Sequence, residues 1–279
     1  MEKRISNVIS VCTQKDLQVW KTTSRFMLKN ISSSSYLVIV PQVDVKVFMN
    51  ATPSDIQIIP EDEVLGFANI LRIKEAISNE SRFGWYLQQF LKICAISQGE
   101  NEDVNLIWDS DTVPLTRLSF IDENYNLSYY TGTEHHAPYF DQIERSLQLK
   151  KIVDYSFIAQ CFPAKVCWAR SYIDALESKN KCHWIDAILK SIDPKELSGF
   201  SEYESMGTYF SHNFQNEMTT SQGKWERSGN RLIGINKFTD TIASKLGRRL
   251  DFIAFEAWEK PRQSLLDKVK RFFKFTELN

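Results

Sequence analysis

DVNLIWDSDTV, residues 103–113, decides the fold. Val104 to Trp108 is an apolar run interrupted only by Asn105, and it leads straight into Asp109, Ser110 and Asp111. It reads as a strand that ends in carboxylates. Side chains at i and i+2 of an extended segment lie on the same side, so Asp109 and Asp111 face one way. Two carboxylates so placed can share one hard divalent cation, directly or through water, while phosphate oxygens take its other positions. That arrangement neutralises a diphosphate leaving group as its bond to a sugar breaks. The motif alone is weak: with 16 aspartates in 279 residues, chance supplies about one D-x-D per chain. The plain alternative is a solvated turn after a strand, so the surrounding sequence has to decide.

Upstream, GWYLQQFLKICAI (84–96) repeats Trp85, Leu87, Leu91 and Cys94 near the helical interval, and leaves Gln88 and Lys92 together on another face. Before it lie a β-branched strand over Ile5 to Thr13 and a helix from an Asp16 N-cap to about Asn30, broken by the serines at 32–35. A covered strand, YLVIVP, ends at Pro41, and a short strand, Asp55 to Ile59, ends at Pro60. Strands alternating with helices imply a largely parallel sheet, which binds ligands at the carboxyl ends of its strands, where Asp109 and Asp111 lie.

Downstream, LSFIDENYNLSYYTG (118–132) predicts a hairpin around Glu123-Asn124, and Pro138 starts a helix to about Leu149. SFIAQCF (156–162) predicts a strand, followed by a helix whose first turn contains Pro163, a helix over Trp184 to Ser191, and a third opened by Ser201. No repeat of 20–50 residues and no low-complexity tract divides the chain. The organisation expected is one catalytic domain over residues 1–259 and a C-terminal appendage over 260–279.

Composition is that of an ordinary globular protein, with 43% hydrophobic and 25% charged residues. The 34 basic and 35 acidic side chains nearly cancel, so no overall field recruits nucleic acid, and no G-x-x-x-x-G-K-[S/T] loop occurs. The N-terminus lacks a secretory apolar region and the longest aliphatic run, Leu37 to Val40, is far too short to span a bilayer. Five cysteines without a C-x-x-C pair suit reduced thiols in a cytoplasmic protein.

Four separated segments, NLIWDSDTVPL, FGWYLQQFLKI, TGTEHHAPYF and GFSEYESMGTY, together resemble a thinly characterised bacterial family of GT-A-type glycosyltransferases of polysaccharide and lipopolysaccharide biosynthesis, over about residues 5–215. The resemblance implies an α/β, GT-A-like Rossmann-type nucleotide-sugar-binding domain with a mixed sheet. It also implies a divalent metal ion, manganese or magnesium, a UDP-linked or similar nucleotide-sugar donor, and a glycan or lipid-linked acceptor. Carried onto this sequence, Asp109 and Asp111 hold metal and diphosphate, Asp111 more directly. Gln88 and Lys92 line the donor side, against the alternative of a solvated polar face. His135 and His136 flank the same loop as Tyr139, with a structural histidine as the alternative. His212 in YFSHNF is a further candidate metal ligand, against a surface histidine.

Ser201-Glu202-Tyr203-Glu204 fits the S-x-x-E capping box, which explains Glu204 without chemistry and leaves Glu202 as candidate general base for the acceptor hydroxyl, with Glu204 second.

Two rival classes remain. D-S-D-T-V also fits the signature of haloacid-dehalogenase-like phosphatases, with Asp109 as nucleophile, but too many elements precede it and no later G-D-x-x-x-D follows. A non-catalytic carbohydrate-binding protein would use the seven tryptophans and ten tyrosines to stack on sugars. Finally, PRQSLLDKVKRFFKF (261–275) predicts a basic amphipathic helix, with Leu265, Leu266, Val269, Phe272 and Phe273 on one face and five basic residues over 262–274. Such a helix either lies on an anionic membrane, here the inner face of the plasma membrane, or docks on the domain.

Overall fold

A computed structural model describes residues 4–77 and 79–257. The expected helix from Pro261 onward, and with it the membrane-surface expectation, lies outside the described residues. Among those described, no helix is long and apolar enough to cross a membrane.

The first half is a strand-helix alternation: β1 (Ile5–Val11), α1 (Leu17–Asn30), β2 (Ser33–Val40), α2 (Val45–Met49), β3 (Gln57–Pro60), α3 (Glu61–Leu65), α4 (Phe67–Ala76), α5 (Glu80–Ile96) and β4 (Val104–Trp108). The second half adds β5 (Thr112–Pro114), β6 (Leu127–Tyr129), α6 (Ala137–Leu147), β7 (Cys161–Lys165), α7 (Val166–Asn180), α8 (Trp184–Ser191) and α9 (Glu202–Asn213). It closes with β8 (Met218–Thr220), β9 (Trp225–Glu226), α10 (Gly229–Leu232), α11 (Asp240–Leu246) and β10 (Phe252–Ala254).

The main sheet runs in the order β3-β2-β1-β4-β7. Four strands are parallel, and β7 is antiparallel to β4 at the edge. The α/β class with a mixed sheet is therefore found. All five residues of β4 are buried, as a central strand covered on both faces demands. Its one polar side chain is satisfied: Asn105 accepts from Asn7 Nδ2 at 2.9 Å and donates to the carbonyls of Ile96 and Gln98. A small sheet of β5, β10 and β9 packs beside it over a second core that includes Phe26, Val113, Leu246 and Phe255. The third sheet pairs β6 with β8.

Several sequence expectations need correction. Pro163 does not open a helix; it sits within β7, paired opposite Leu106, and α7 begins at Val166. An edge strand tolerates a residue with no N–H to donate. Phe157 to Gln160 are irregular rather than strand, Ser156 making only a bridge to Gly132; α1 ends at Asn30 as expected, and the serines at 33–35 already belong to β2. The 118–132 hairpin is reduced to one antiparallel bridge, Ile121 to Leu127, around a turn in which Tyr125 takes a positive φ of 64°, and β6 finds its ladder with β8 instead. Asp16 holds the N-cap position of α1, but its carboxylate makes no cap bond.

Candidate functional site

β1 and β4 lie side by side with Ile9 opposite Ile107, so the residues following Val11 and Trp108 emerge at one edge of the sheet. β2 and β3 extend to one side of β1, and β4 and β7 to the other. That reversal of strand order opens a crevice, where open α/β sheets bind ligands. Here it is a cavity of about 460 Å³, floored by Val11, Asp16, Asp109, Ser110 and Asp111 and walled by α5, the start of α9 and the Arg227–Glu256 region.

Lys92 is the centre of one wall. Its side chain is 7% exposed, and its ammonium spends all three donors: on Asp109 Oδ1 at 2.7 Å, Glu202 Oε1 at 2.8 Å and the Tyr203 hydroxyl at 3.2 Å. Tyr203 in turn donates to Asp109 Oδ1 at 2.6 Å. Burial favours the neutral amine, but Asp109 and Glu202 outweigh it and push the Lys92 pKa up. Burial raises the Glu202 pKa, against the opposing pull of Lys92. The polar face predicted for α5 is thus turned inward: Gln88 lines the cavity, and Lys92 is buried rather than solvated.

Opposite lies an acidic end. Asp111 is pushed up to about 8, first by burial and then by the charges of Asp109, Glu256 and Asp16. Glu256 follows β10 and is 8% exposed. Its Oε1 accepts from Arg227 Nε at 2.8 Å and Gln160 Nε2 at 3.1 Å, whereas the buried Oε2 finds no partner among the described residues. Gln160, in the left-handed region at φ 65°, also accepts the Asp109 amide with its carbonyl at 2.9 Å. A non-glycine residue held there is a strained position of the kind that clusters at functional sites. The six acids of the lining, Asp16, Asp109, Asp111, Glu134, Glu202 and Glu256, face three bases, Arg82, Lys92 and Arg227. Among the described residues no three His, Cys, Asp or Glu side chains form a ready metal cage. The arrangement fits a cation held by one or two carboxylates with phosphate oxygens completing its shell, which suits magnesium or manganese better than a closed protein site does.

The other predicted residues lie elsewhere. His212 is exposed in the last turn of α9, ten residues and about 15 Å of helix beyond Glu202, and its Nε2 meets the Lys150 carbonyl. It does not line the cavity. His135 is exposed against Phe140, and His136 Nε2 lies 2.9 Å from the Ser198 carbonyl; neither lines the cavity, whereas their neighbours Glu134 and Tyr139 do. Ser201 caps α9 by accepting the Glu204 amide at 3.3 Å, but Glu204 does not complete the box. Its carboxylate turns away to Lys151 at 2.9 Å, the Phe157 amide and Ser156, so it braces a loop and is not at the cavity. The first-turn amide of Glu202 donates to Gln89 Oε1 at 3.1 Å.

Sequence reasoning missed Tyr203, Arg227, Glu256, Gln160 and the pair Arg82 and Trp85, whose guanidinium and ring centres are 4.1 Å apart. Tyr203 lay inside a quoted motif. Arg227 and Glu256 carry no local signature and reach the site only through β9 and β10.

No curated protein matches the sequence. Among solved structures, the galactosyltransferase LgtC in complex with donor and acceptor sugar analogues shares 11% identity, covering 97% of this chain and 95% of that one, at a TM-score of 0.47. Mouse xyloside xylosyltransferase 1 shares 9%, covering 92% and 99%, at 0.49. A 4-diphosphocytidyl-2C-methyl-D-erythritol synthase from Anaerococcus prevotii shares 8%, covering 89% and 98%, at 0.43. The family model that matches spans residues 2–228, the segment that builds the main sheet and most of the cavity, and the chain belongs to that family of unknown function, DUF6492.

Proposed function

We propose that the protein is a glycosyltransferase that moves a sugar from a nucleoside-diphosphate donor, UDP-linked or similar, to a carbohydrate acceptor. The observation that carries this reading is the crevice at the carboxyl ends of β1 and β4, where Asp109 and Asp111 share a floor with the half-satisfied, buried Glu256. A divalent cation held there would offset the charge that builds on the diphosphate as its bond to the sugar breaks. Asp111 and Glu256 are the residues to hold it, with Asp109 beside them. Lys92 and Tyr203 fix the Asp109 carboxylate, so its orientation does not depend on the ligand.

In the reaction, an acceptor oxygen forms a bond to the anomeric carbon, the bond from that carbon to the diphosphate breaks, and the nucleoside diphosphate leaves with the electron pair. The acceptor proton passes to a base. Glu202 has Oε1 committed to Lys92, so any proton it takes goes to Oε2. Trp85 and Gln88 supply an aromatic face and an amide for the donor sugar. Lys92 and Tyr203 both hold Oδ1 of Asp109, so a phosphatase reading would have to use Oδ2 as nucleophile, and the placement of the motif after β4 rather than after the first strand weighs against it.

The test is a panel of nucleotide sugars with manganese, read as release of nucleoside diphosphate and as the melting shift. One donor should turn over, only with divalent cation, and UDP with manganese near 100 Kd should stabilise the fold by about 2.7 kcal/mol. Asp111→Asn should lose both turnover and shift while melting cooperatively. Undiminished turnover in a chelator would sink the metal reading, and a melting shift with sugars but no donor turnover would favour a binding protein.

A further inference from the structure

Beyond Arg227 the cavity continues into a second hollow of about 440 Å³, which shares Glu134, Ile158 and Arg227 with the first. The boundary between them is the Arg227–Glu134 ion pair, 2.7 Å long and about one-third exposed on each side. The same guanidinium reaches Glu256 with Nε, so this pair ties the hollow to the acidic floor. One wall is the half-buried indole of Trp225. Its orientation is fixed twice: Nε1 donates to the Thr131 carbonyl at 2.9 Å, and Phe252 stacks on it with ring centres 5.6 Å apart and planes at 19°. Gly132 keeps the neighbouring backbone close, since a Cβ there would stand 2.6 Å from the Ile158 carbonyl and 3.7 Å from the indole. The rim carries the exposed Thr133 and the Glu134 carboxylate.

A preset aromatic surface edged by hydroxyl and carboxylate groups suits a sugar ring. The ring's C–H face packs on the indole, and its hydroxyls bond to the rim at little ordering cost. We propose that this hollow is an acceptor subsite, which holds a sugar ring of the acceptor on Trp225 and directs its reacting end across the Arg227–Glu134 pair into the first cavity. The inference rests on the transferase reading above and names where its second substrate sits.

The experiment prints a glycan array and measures retention of the full-length protein in the presence of UDP and manganese. Wild type is compared with Trp225→Ala, Trp225→Phe and Thr133→Arg, the last filling the hollow from an exposed position in case Trp225→Ala fails to fold. Each variant is used only if it keeps the UDP–manganese melting shift. Wild type should retain a set of oligosaccharides, Trp225→Ala and Thr133→Arg should lower that retention roughly tenfold, and Trp225→Phe should recover most of it. Equal retention by wild type and both disrupting variants overturns the proposal. So does retention of no glycan by a wild type that hydrolyses a donor. Donor hydrolysis on the same preparations separates the two readings: its absence from wild type counts against the transferase, whereas its presence with an insensitive hollow counts against the subsite alone.

Discussion

Removing the Lys92 ammonium tests whether the cavity wall is held by charge. Lys92→Met keeps the packing of the stem and deletes the charge. Glu202, 7% exposed at its side chain, then lies buried without its counter-ion, and Asp109, 20% exposed, keeps only the Tyr203 hydroxyl from this trio. Breaking one partner out of a buried pair costs about 3–5 kcal/mol. For a chain of this size, with an unfolding entropy of about 0.6 kcal/mol/K, that is a fall in Tm of about 5–9 °C. The cost should depend on pH with a definite sign. Burial already raises the Glu202 pKa, and Lys92 is the main influence opposing that rise. Without it the folded-state pKa climbs further above the unfolded value, so the penalty is full at alkaline pH and fades as Glu202 takes a proton on acidification. Replacing Glu202 as well, in Lys92→Met/Glu202→Gln, should recover at least about half of the loss, because a neutral amide is cheaper to bury than a lone carboxylate. Urea midpoints and thermal melts at pH 5 and pH 8 measure all four combinations. A single variant that melts within about 2 °C of wild type, or a double variant no more stable than the single, would refute the reasoning.

Two further predictions probe the scaffold. Glu61 is pushed up to about 7 by burial and then by Asp44 and Asp62. Because the folded state holds its proton more tightly than the unfolded state, wild-type stability falls as pH rises from about 4.5 through 7. Glu61→Gln should be neutral in acid and stabilise by about 1–2 kcal/mol at pH 8, a figure reduced for partial exposure and for the helix N-terminus that favours the charge; equal effects in urea melts at both pH values would reject it. In α9, a Cβ on Gly207 would collide with the fully buried ring of Phe157. Gly207→Ala should therefore destabilise by about 1–3 kcal/mol despite a helix-propensity gain of about 1 kcal/mol, and a raised Tm would show that the contact relaxes freely.

The residues that were legible in the sequence are those whose role is set locally. YLVIVP and NLIW read as covered strands because β2 and β4 bury nearly every residue at their carboxyl ends. The helix over Trp184–Ser191 has the expected bounds, with apolar side chains on one face. Asp109 and Asp111 fall at a strand end because the apolar run stops there. Lys92 lines the cavity as expected, but its burial within a charge network was not legible, because that depends on Asp109 and Glu202, 17 and 110 positions away, which no helical periodicity encodes. Glu204 shows the same limit from the other side: the spacing of a capping box was met, but Lys151 and the Phe157 amide offered its carboxylate a better-satisfied buried site. Glu256 and Arg227 were invisible because short strands bring them to the floor by pairing, β10 with β5 and β9 with β10.

The charge arrangement of the cavity carries the argument for coupled binding. Its bases are already engaged by neighbours: Lys92 by Asp109 and Glu202, Arg227 by Glu134 and Glu256, and Arg82 by the Leu197 carbonyl and Ser198 hydroxyl. Asp111 sits among Asp109, Glu256 and Asp16, and burial first, then those three charges, push it up to about 8 against the weaker opposing pull of Lys92. A diphosphate entering such a site meets carboxylates rather than free cationic side chains, so on the proposed reading donor affinity has to come with a cation. The cation in turn finds few protein ligands until phosphate oxygens arrive. Each therefore raises the affinity of the other, and the coupling is reciprocal by thermodynamic necessity. On that reading the acidic floor would disfavour a nucleotide without its cation, and the bonds from Lys92 and Tyr203 would hold Asp109 with and without the donor.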